Sequence, residues 1–285
     1  MAGTFTVRSL LQWAREWLAK KGVENPRLDA ELLLSHALSC DRLRLYIDVD
    51  KPLSAEELAR FKPLIQRRGA REPVAYILGT KEFYGRSFAV APGVFIPRPE
   101  TELLVRMVLE RLPEDAEARV ADLCSGSGAV GISVAVERPR ARVDLVELSP
   151  EAAAAAGRNA SKHAAGRVRV FAGDLFAALP EHIRYHAIAA NPPYVPLLDG
   201  RKLASDVVDH EPHLALFGGE DGLAVIRRIA AEVRDWLAPG GLFVTEIDPS
   251  QGEAVAGLLR DAGLLQVRVE RDLAGLDRHV VGKGR

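Results

Sequence analysis

Asn191-Pro192-Pro193-Tyr194 follows the small apolar run "AIAA" and sets an amide, proline-flanked carbonyls and a phenol at the end of what reads as a strand. Proline has no N–H, so a proline pair stops strand pairing and leaves carbonyls that no ladder claims. Asn191 and Tyr194 add an acceptor oxygen, donors and a ring face. The same letters could make nothing more than a strand-ending turn. The quartet poses the question of what these groups do together there.

A second set of residues bears on that question. In "DLCSGSGAVGISVA", Gly126, Gly128 and Gly131 spell GxGxxG after an apolar strand-like run, and Glu147 closes the next strand about 20 residues on. Glycines let a backbone approach a ligand closely, and a carboxylate ending the second strand accepts hydrogen bonds from two ribose hydroxyls. Cys124, Ser125 and Ser127 complete the loop as candidate cofactor contacts. Any adenosine cofactor fits this pattern, so NAD and S-adenosylmethionine both remain open. Asp174, followed by Leu175 in "FAGDLF", ends the third strand where an acid can accept from an adenine amino group, or simply make a turn. No paired carboxylates or Ser/His/Asp set has a spacing that demands a role.

These residues need elements to position them. Residues 1–75 read as a small helical domain: Leu10, Leu11, Trp13, Ala14, Trp17 and Leu18 recur at helical spacing, Asn25-Pro26 has the form of a cap, and Ser54 with Glu57 that of a capping box. Residues 76–95, punctuated by Gly79, Gly85 and Gly93, read as a β-hairpin linker. From residue 96 to 285 strand-like and helical runs alternate, which predicts an α/β domain with a mostly parallel sheet and ligands at its carboxyl edge. The last two strand-like runs lie close together and predict an antiparallel hairpin at the edge of that sheet.

The 285 residues carry 38 basic and 39 acidic side chains, a net charge of −1, which argues against a chain built mainly to coat nucleic acid. Cys40 and Cys124 form neither a CxxC nor a metal-ligand spacing. No apolar run approaches the roughly 18 residues of a membrane span. The expectation is a cytoplasmic, soluble chain with no metal.

"DLCSGSGA", "NPPY", "FIPRPETE" and the closing "DLAGLDR" together resemble the N5-glutamine methyltransferases of peptide chain release factors. The resemblance covers nearly the whole chain. It implies a class I S-adenosylmethionine-dependent methyltransferase fold, Rossmann-like with a seven-stranded sheet, preceded by a helical domain that reads the protein partner. It also implies S-adenosyl-L-methionine as cofactor, a class I release factor as substrate, no direct nucleic-acid or membrane partner, and a monomer. In such a family "FIPRPETE" borders the pocket, which makes Phe95, Arg98 and Thr101 candidate contacts.

The implied substrate gives the quartet a purpose. A carboxamide nitrogen is a poor nucleophile and becomes more positive as it attacks a sulfonium methyl, so acceptors fixed around its N–H bonds favour the transition state over the ground state. The Asn191 oxygen and the Pro192 carbonyl are those acceptors; Pro193 shapes the turn, and Tyr194 supplies a ring face for the planar amide. No separate general base is needed, because the proton can leave after transfer.

The chain departs from the pattern in places. Cys124 stands where glycine is usual, so positive φ is not expected there; Asp248 replaces another usual glycine, and Glu246 reads as a structural acid. His210, Glu211 and His213 could suggest a metal, but Pro212 interrupts the face that would aim the rings together. The basic run Arg60, Lys62, Arg67, Arg68 and Arg71 reads as a solvated helix face. The competing readings are a glutamine methyltransferase of a ribosomal protein, an adenine or cytosine amine methyltransferase, an NAD-dependent oxidoreductase and a non-catalytic adapter. The 6% aromatic content leans against the nucleic-acid readings, and NPPY has no purpose in an oxidoreductase.

Overall fold

A computed structural model describes residues 5–115 and 117–285. The chain divides into two units: residues 1–80 with 204–210, and residues 81–203 with 211–285.

The first unit is helical. Helix α1 (Val7–Lys20) starts at a capping box between Thr6 and Ser9, and α2 (Pro26–Ala37) has proline in its first turn. Asn25 precedes that proline but makes no side-chain capping bond. Asp41 caps α3 (Arg42–Ile47), and Ser54 and Glu57 form the expected reciprocal box at the start of α4 (Ala55–Gly69). Helix α5 (Val74–Leu78) stops at Gly79, whose φ of 72° is the left-handed cap that glycine tolerates. Leu10, Ala14 and Leu18 of α1 join Leu33, Leu34, Phe61 and Ile65 in one core, while Trp13 turns outward and stacks on Trp17.

The basic run is not wholly a solvated face. Arg68 is buried, with Nε 2.6 Å from Asp29 and a terminal nitrogen 2.7 Å from Asp206, so a charge placed in the core is paired on two sides. Asp206 belongs to the short helix α9 (Ser205–Val208), part of this unit although remote in sequence.

From the last residue of the first unit the chain enters the hairpin β1 (Thr80–Phe83) and β2 (Arg86–Ala89), turned by Tyr84 and Gly85, both at positive φ. Helix α6 (Glu102–Arg111) leads to β3 (Arg119–Leu123), α7 (Ala129–Glu137), β4 (Arg142–Glu147), α8 (Pro150–His163), β5 (Val168–Ala172) and β6 (Tyr185–Ala190). After α9 come α10 (His213–Leu216), α11 (Ala224–Trp236), β7 (Leu237–Glu246), α12 (Gly252–Asp261), β8 (Leu265–Arg271) and β9 (Asp277–Lys283). The seven-stranded sheet has the order β5-β4-β3-β6-β7-β9-β8, with β9 antiparallel to both neighbours, so the expected terminal hairpin forms its edge.

Apolar side chains alternate between the two faces as the pleat requires. Val120, Val143 and Leu145 pack with α6, α7 and α8; Ala121, Leu123, Val146 and Phe243 pack with α11 and α12. Both faces are covered, so the open place for chemistry is the carboxyl edge, where strand order reverses between β3 and β6. Among the described residues no helix is long and apolar enough to cross a membrane.

Candidate active site

Leu123 of β3 pairs with Ala190 of β6, so the glycine loop and Asn191 leave the sheet from neighbouring strand ends. The glycines of the loop have separate duties. A Cβ on Gly128 would stand 2.7 Å from Ile132 Cδ1, and one on Gly131 2.3 Å from Leu145 Cδ2, so these two serve packing of α7 on the sheet. At Gly126 the nearest atom to such a Cβ is Phe95 Cβ at 3.9 Å, which leaves this backbone approachable.

Cys124 corrects the sequence reading: its φ is 56°, the left-handed region that a β-carbon disfavours. The strain is carried by the surrounding bonds, since the Ser125 N–H reaches the Val146 carbonyl at 3.0 Å and the Gly128 N–H the Ser125 carbonyl at 2.8 Å. Burial pushes the Cys124 thiol well up, with Glu147, Asp122 and Asp174 adding to it, so the thiol stays neutral and is no nucleophile. Leu175, after β5, also holds positive φ, at 47°. Two strained non-glycine residues thus lie beyond strand ends on one edge of the sheet.

Glu147 binds the loop directly. Its Oε2 accepts the Gly126 N–H at 2.7 Å and its Oε1 the Ser149 N–H at 2.9 Å, and each oxygen keeps a lone pair for a further donor. The Ser125 hydroxyl is buried without a partner among the described residues, and Ser127 is buried with its carbonyl held by Asn159 at 2.9 Å. Asp174 is bound by Arg228 at 2.7 Å in an exposed ion pair, which leaves its second oxygen for another donor.

Sequence reasoning passed over Asp122, which sits beneath the loop and accepts the Gly131 N–H at 2.8 Å. Burial pushes its carboxyl up to about 7, against that N–H. The signal available in sequence was an acid inside an otherwise apolar strand.

The NPPY quartet is braced on three sides. Asn191 Nδ2 donates to the buried Thr101 hydroxyl at 3.3 Å, which turns the amide oxygen to the opposite side. The Tyr194 hydroxyl donates to Glu246 at 3.2 Å, and burial together with Glu246 pushes its ionisation well up, so it remains a phenol. Pro192 stands two residues past Ala190, the last paired residue of β6, so its carbonyl lies beyond the ladder. The Tyr194 carbonyl accepts Gln251 Nε2 at 2.9 Å, and Val195 exchanges backbone bonds with Leu216 and Gly218.

Three of these supports were not foreseen. Gly218 and Gly222 admit backbone at their α-carbons, where a Cβ would stand 2.3 Å from the Pro193 carbonyl and 2.1 Å from the Tyr194 carbonyl. The third is Gln251, presented by a turn that Asp248 caps, accepting from Ser250 N at 2.9 Å. The Asp248 φ of −67° needs no glycine. The density of glycines in "FGGEDG" was the sequence signal for the first two.

Arg98 turns back on its own segment. It pairs with Glu211 and lies over the Phe95 ring at 5.0 Å, while Glu211 also accepts the Ile96 N–H at 3.2 Å. Glu211 is therefore a buried anchor for "FIPR", and no group of His, Cys, Asp and Glu among the described residues could hold a metal.

Residues 9–79 match the family model described as PrmC N-terminal domain, and residues 86–214 match Methyltransferase small domain. The chain is 45% identical over 279 residues to the release factor glutamine methyltransferase of Geobacter sulfurreducens, covering 98% of this chain and 97% of that protein. It is 41% identical to the protein of the same name from Koribacter versatilis, over 98% of each. A solved methyltransferase of Pyrococcus furiosus matches with a TM-score of 0.53 at 17% identity, over 79% of this chain and 98% of that one, a likeness of fold alone.

Proposed function

The chain belongs to the release factor glutamine methyltransferase family, and from that premise we propose that its sheet edge methylates the side-chain amide nitrogen of a release factor glutamine using S-adenosylmethionine. The observation that carries this reading is the pairing of Leu123 with Ala190, which sets the adenosine-type loop and the amide-binding quartet side by side.

The loop residues fit the cofactor. Glu147 has lone pairs left for ribose hydroxyls, the Ser125 hydroxyl is a donor unpartnered among the described residues, and Gly126 lets a ligand come close to the backbone. Asp174, whose second oxygen is left by its pair with Arg228, and Leu175 are the residues assigned here to the adenine edge. Bound there, S-adenosylmethionine supplies a methyl group on a positively charged sulfur.

The chain's own residues do the rest. The Asn191 oxygen and the Pro192 carbonyl would accept the two N–H bonds of the incoming glutamine amide and orient its nitrogen for transfer. Positive charge would grow on that nitrogen as it took the methyl group, with the S–C electron pair left on sulfur. Both acceptors strengthen as it does, which is differential binding of the transition state. The Tyr194 ring lies against the amide plane, and Pro193 fixes the approach of Tyr194. The nitrogen then sheds one proton to water.

The substrate glutamine is that of the Gly-Gly-Gln loop of class I release factors. Glycines before the glutamine let the partner backbone enter a narrow mouth without side-chain clashes. The helical unit supplies binding energy remote from the reaction.

Incubation with isotopically labelled S-adenosylmethionine and an intact class I factor, followed by peptide mass spectrometry, tests the reading. The label is expected on that single glutamine and absent from a Gln→Ala factor. Label retained at the same rate in the Gln→Ala factor contradicts the substrate assignment.

A further inference from the structure

Glu246 ends β7 with only 1% of its surface exposed, and opposite it in the antiparallel register stands His279, wholly buried. One oxygen of Glu246 accepts the Tyr194 hydroxyl; the other, with both ring nitrogens of His279, has no hydrogen-bond partner among the described residues. The two side chains approach to 3.9 Å, but burial lowers His279 to about 4, so the imidazole is neutral and the contact is not an ion pair. Burial also pushes the Glu246 carboxyl up, opposed by the hydroxyls of Thr101 and Tyr194 and by Arg278, while Glu100 reinforces it.

A carboxyl group with one unpartnered oxygen against a neutral imidazole is a costly way to end a strand. Val244, Ile247 and Val280 nearby are all apolar and buried. What Glu246 gains for the molecule lies on its other side. Tyr194 is tied to it, and Thr101, which faces the same carboxyl group, accepts the Nδ2 of Asn191.

We infer that Glu246 is a positioning residue for methyl transfer: a single carboxyl group that fixes the Tyr194 ring directly and the Asn191 amide through Thr101. The inference rests on the reading of the NPPY quartet as the amide-binding site. It explains why both ends of that quartet keep a fixed relation while the turn between them, Pro192-Pro193, has no N–H group to tie it down. Asn191 sits with its Nδ2 toward the Thr101 hydroxyl, whose lone pair accepts it, and so turns its amide oxygen away from Thr101.

The test compares Glu246→Ala, Glu246→Gln, Tyr194→Phe and Thr101→Val with wild type, measuring kcat, KM for S-adenosylmethionine, KM for the release factor and the melting temperature. Glu246→Ala is expected to lower kcat about tenfold or more, as for a misplaced reacting group, with KM for S-adenosylmethionine within about twofold. Glu246→Gln keeps an accepting oxygen and is expected to recover most of the loss. In the double variant Glu246→Ala with Tyr194→Phe the losses are expected not to multiply, because both break one tie.

Should Glu246→Ala fail to fold, Tyr194→Phe and Thr101→Val carry the test, each keeping its bulk while cutting one link to the carboxyl group. A lower kcat in both, at unchanged melting temperature, supports the inference. Wild-type kcat in both, or fully multiplicative losses in the double variant, overturns it. Asn191→Ala run alongside separates the two levels: if it too retains full turnover, the reading of the quartet fails, whereas its loss beside unaffected Tyr194→Phe and Thr101→Val variants overturns only the role of Glu246.

Discussion

The Gly126 N–H donates to Glu147 Oε2 at 2.7 Å, so the acid expected to read the ribose is also the post to which the glycine loop is tied. Glu147→Ala would therefore remove the proposed ribose contact and loosen the loop that Glu147 ties down. Calorimetry should show S-adenosylmethionine affinity weakened by about 1.5–3 kcal/mol, the range for a hydrogen bond to a charged group. Glu147→Gln keeps one accepting oxygen and should fall between wild type and Ala. Unchanged affinity in the Ala variant would reduce the acid to a cap for α8.

Asn191 makes a separate prediction because its Nδ2 is held by Thr101 at 3.3 Å, while its oxygen is the acceptor proposed for the substrate amide. Asn191→Ala should leave cofactor affinity within a few fold while single-turnover methyl transfer falls about a hundredfold, as for loss of one preorganised polar contact to developing charge. Asn191→Asp should also be slow, since it cannot donate to Thr101 when ionised. Near wild-type turnover in either would remove Asn191 from the mechanism.

Gly222 holds φ at 77°, and a Cβ there would meet the Tyr194 carbonyl at 2.1 Å. Gly222→Ala should destabilise the protein by more than about 1 kcal/mol and depress turnover, since the displaced backbone carries Tyr194. Gly257→Ala is the control: nothing lies within 4 Å of its Cβ, and helix propensity predicts a gain of about 0.5–1 kcal/mol. Urea denaturation of the two variants gives the comparison, and equal effects would contradict the close-approach argument.

Asp122 and His279 pull stability in opposite directions with pH. Burial raises Asp122 from 3.8 to about 7, so its contribution is complete below the lower value and is lost as pH climbs through the upper one. Burial lowers His279 from 6.5 to about 4, so its contribution is complete above the higher value and is lost as pH falls through the lower one. Asp122→Asn, which keeps an acceptor for Gly131, should gain on wild type between about pH 5 and about pH 8, while His279→Gln should gain on it between about pH 7 and about pH 4.5. Urea titrations at those pH values give the two slopes; differences from wild type that do not vary with pH would show that neither group titrates as the burial argument requires.

The sequence by itself determined the order of elements, because the alternation of apolar runs with helical spacing between residues 96 and 285 has few solutions other than a covered parallel sheet. It also placed Asn191, Glu147, Asp174 and the glycine loop at strand ends, since proline, glycine and acid are the residues that stop strands, and parallel strands stop on the same edge. The Ser54 capping box was legible for the same reason: it is a local hydrogen-bond pattern spanning four residues.

What lay out of reach depended on groups distant in the chain. That Cys124 would take φ of 56° could not follow from its own β-carbon, because the cost is met by bonds from neighbouring strand and loop atoms. Arg68 read as one more surface charge until Asp29 and Asp206 came to it from positions 39 and 138 residues away. Glu246 read as a strand-end acid until the fold brought Thr101, Tyr194 and His279 around it. A residue's local preference is written in its own covalent structure, but the partner that makes a buried polar group tolerable, or useful, is chosen only when the tertiary structure closes around it.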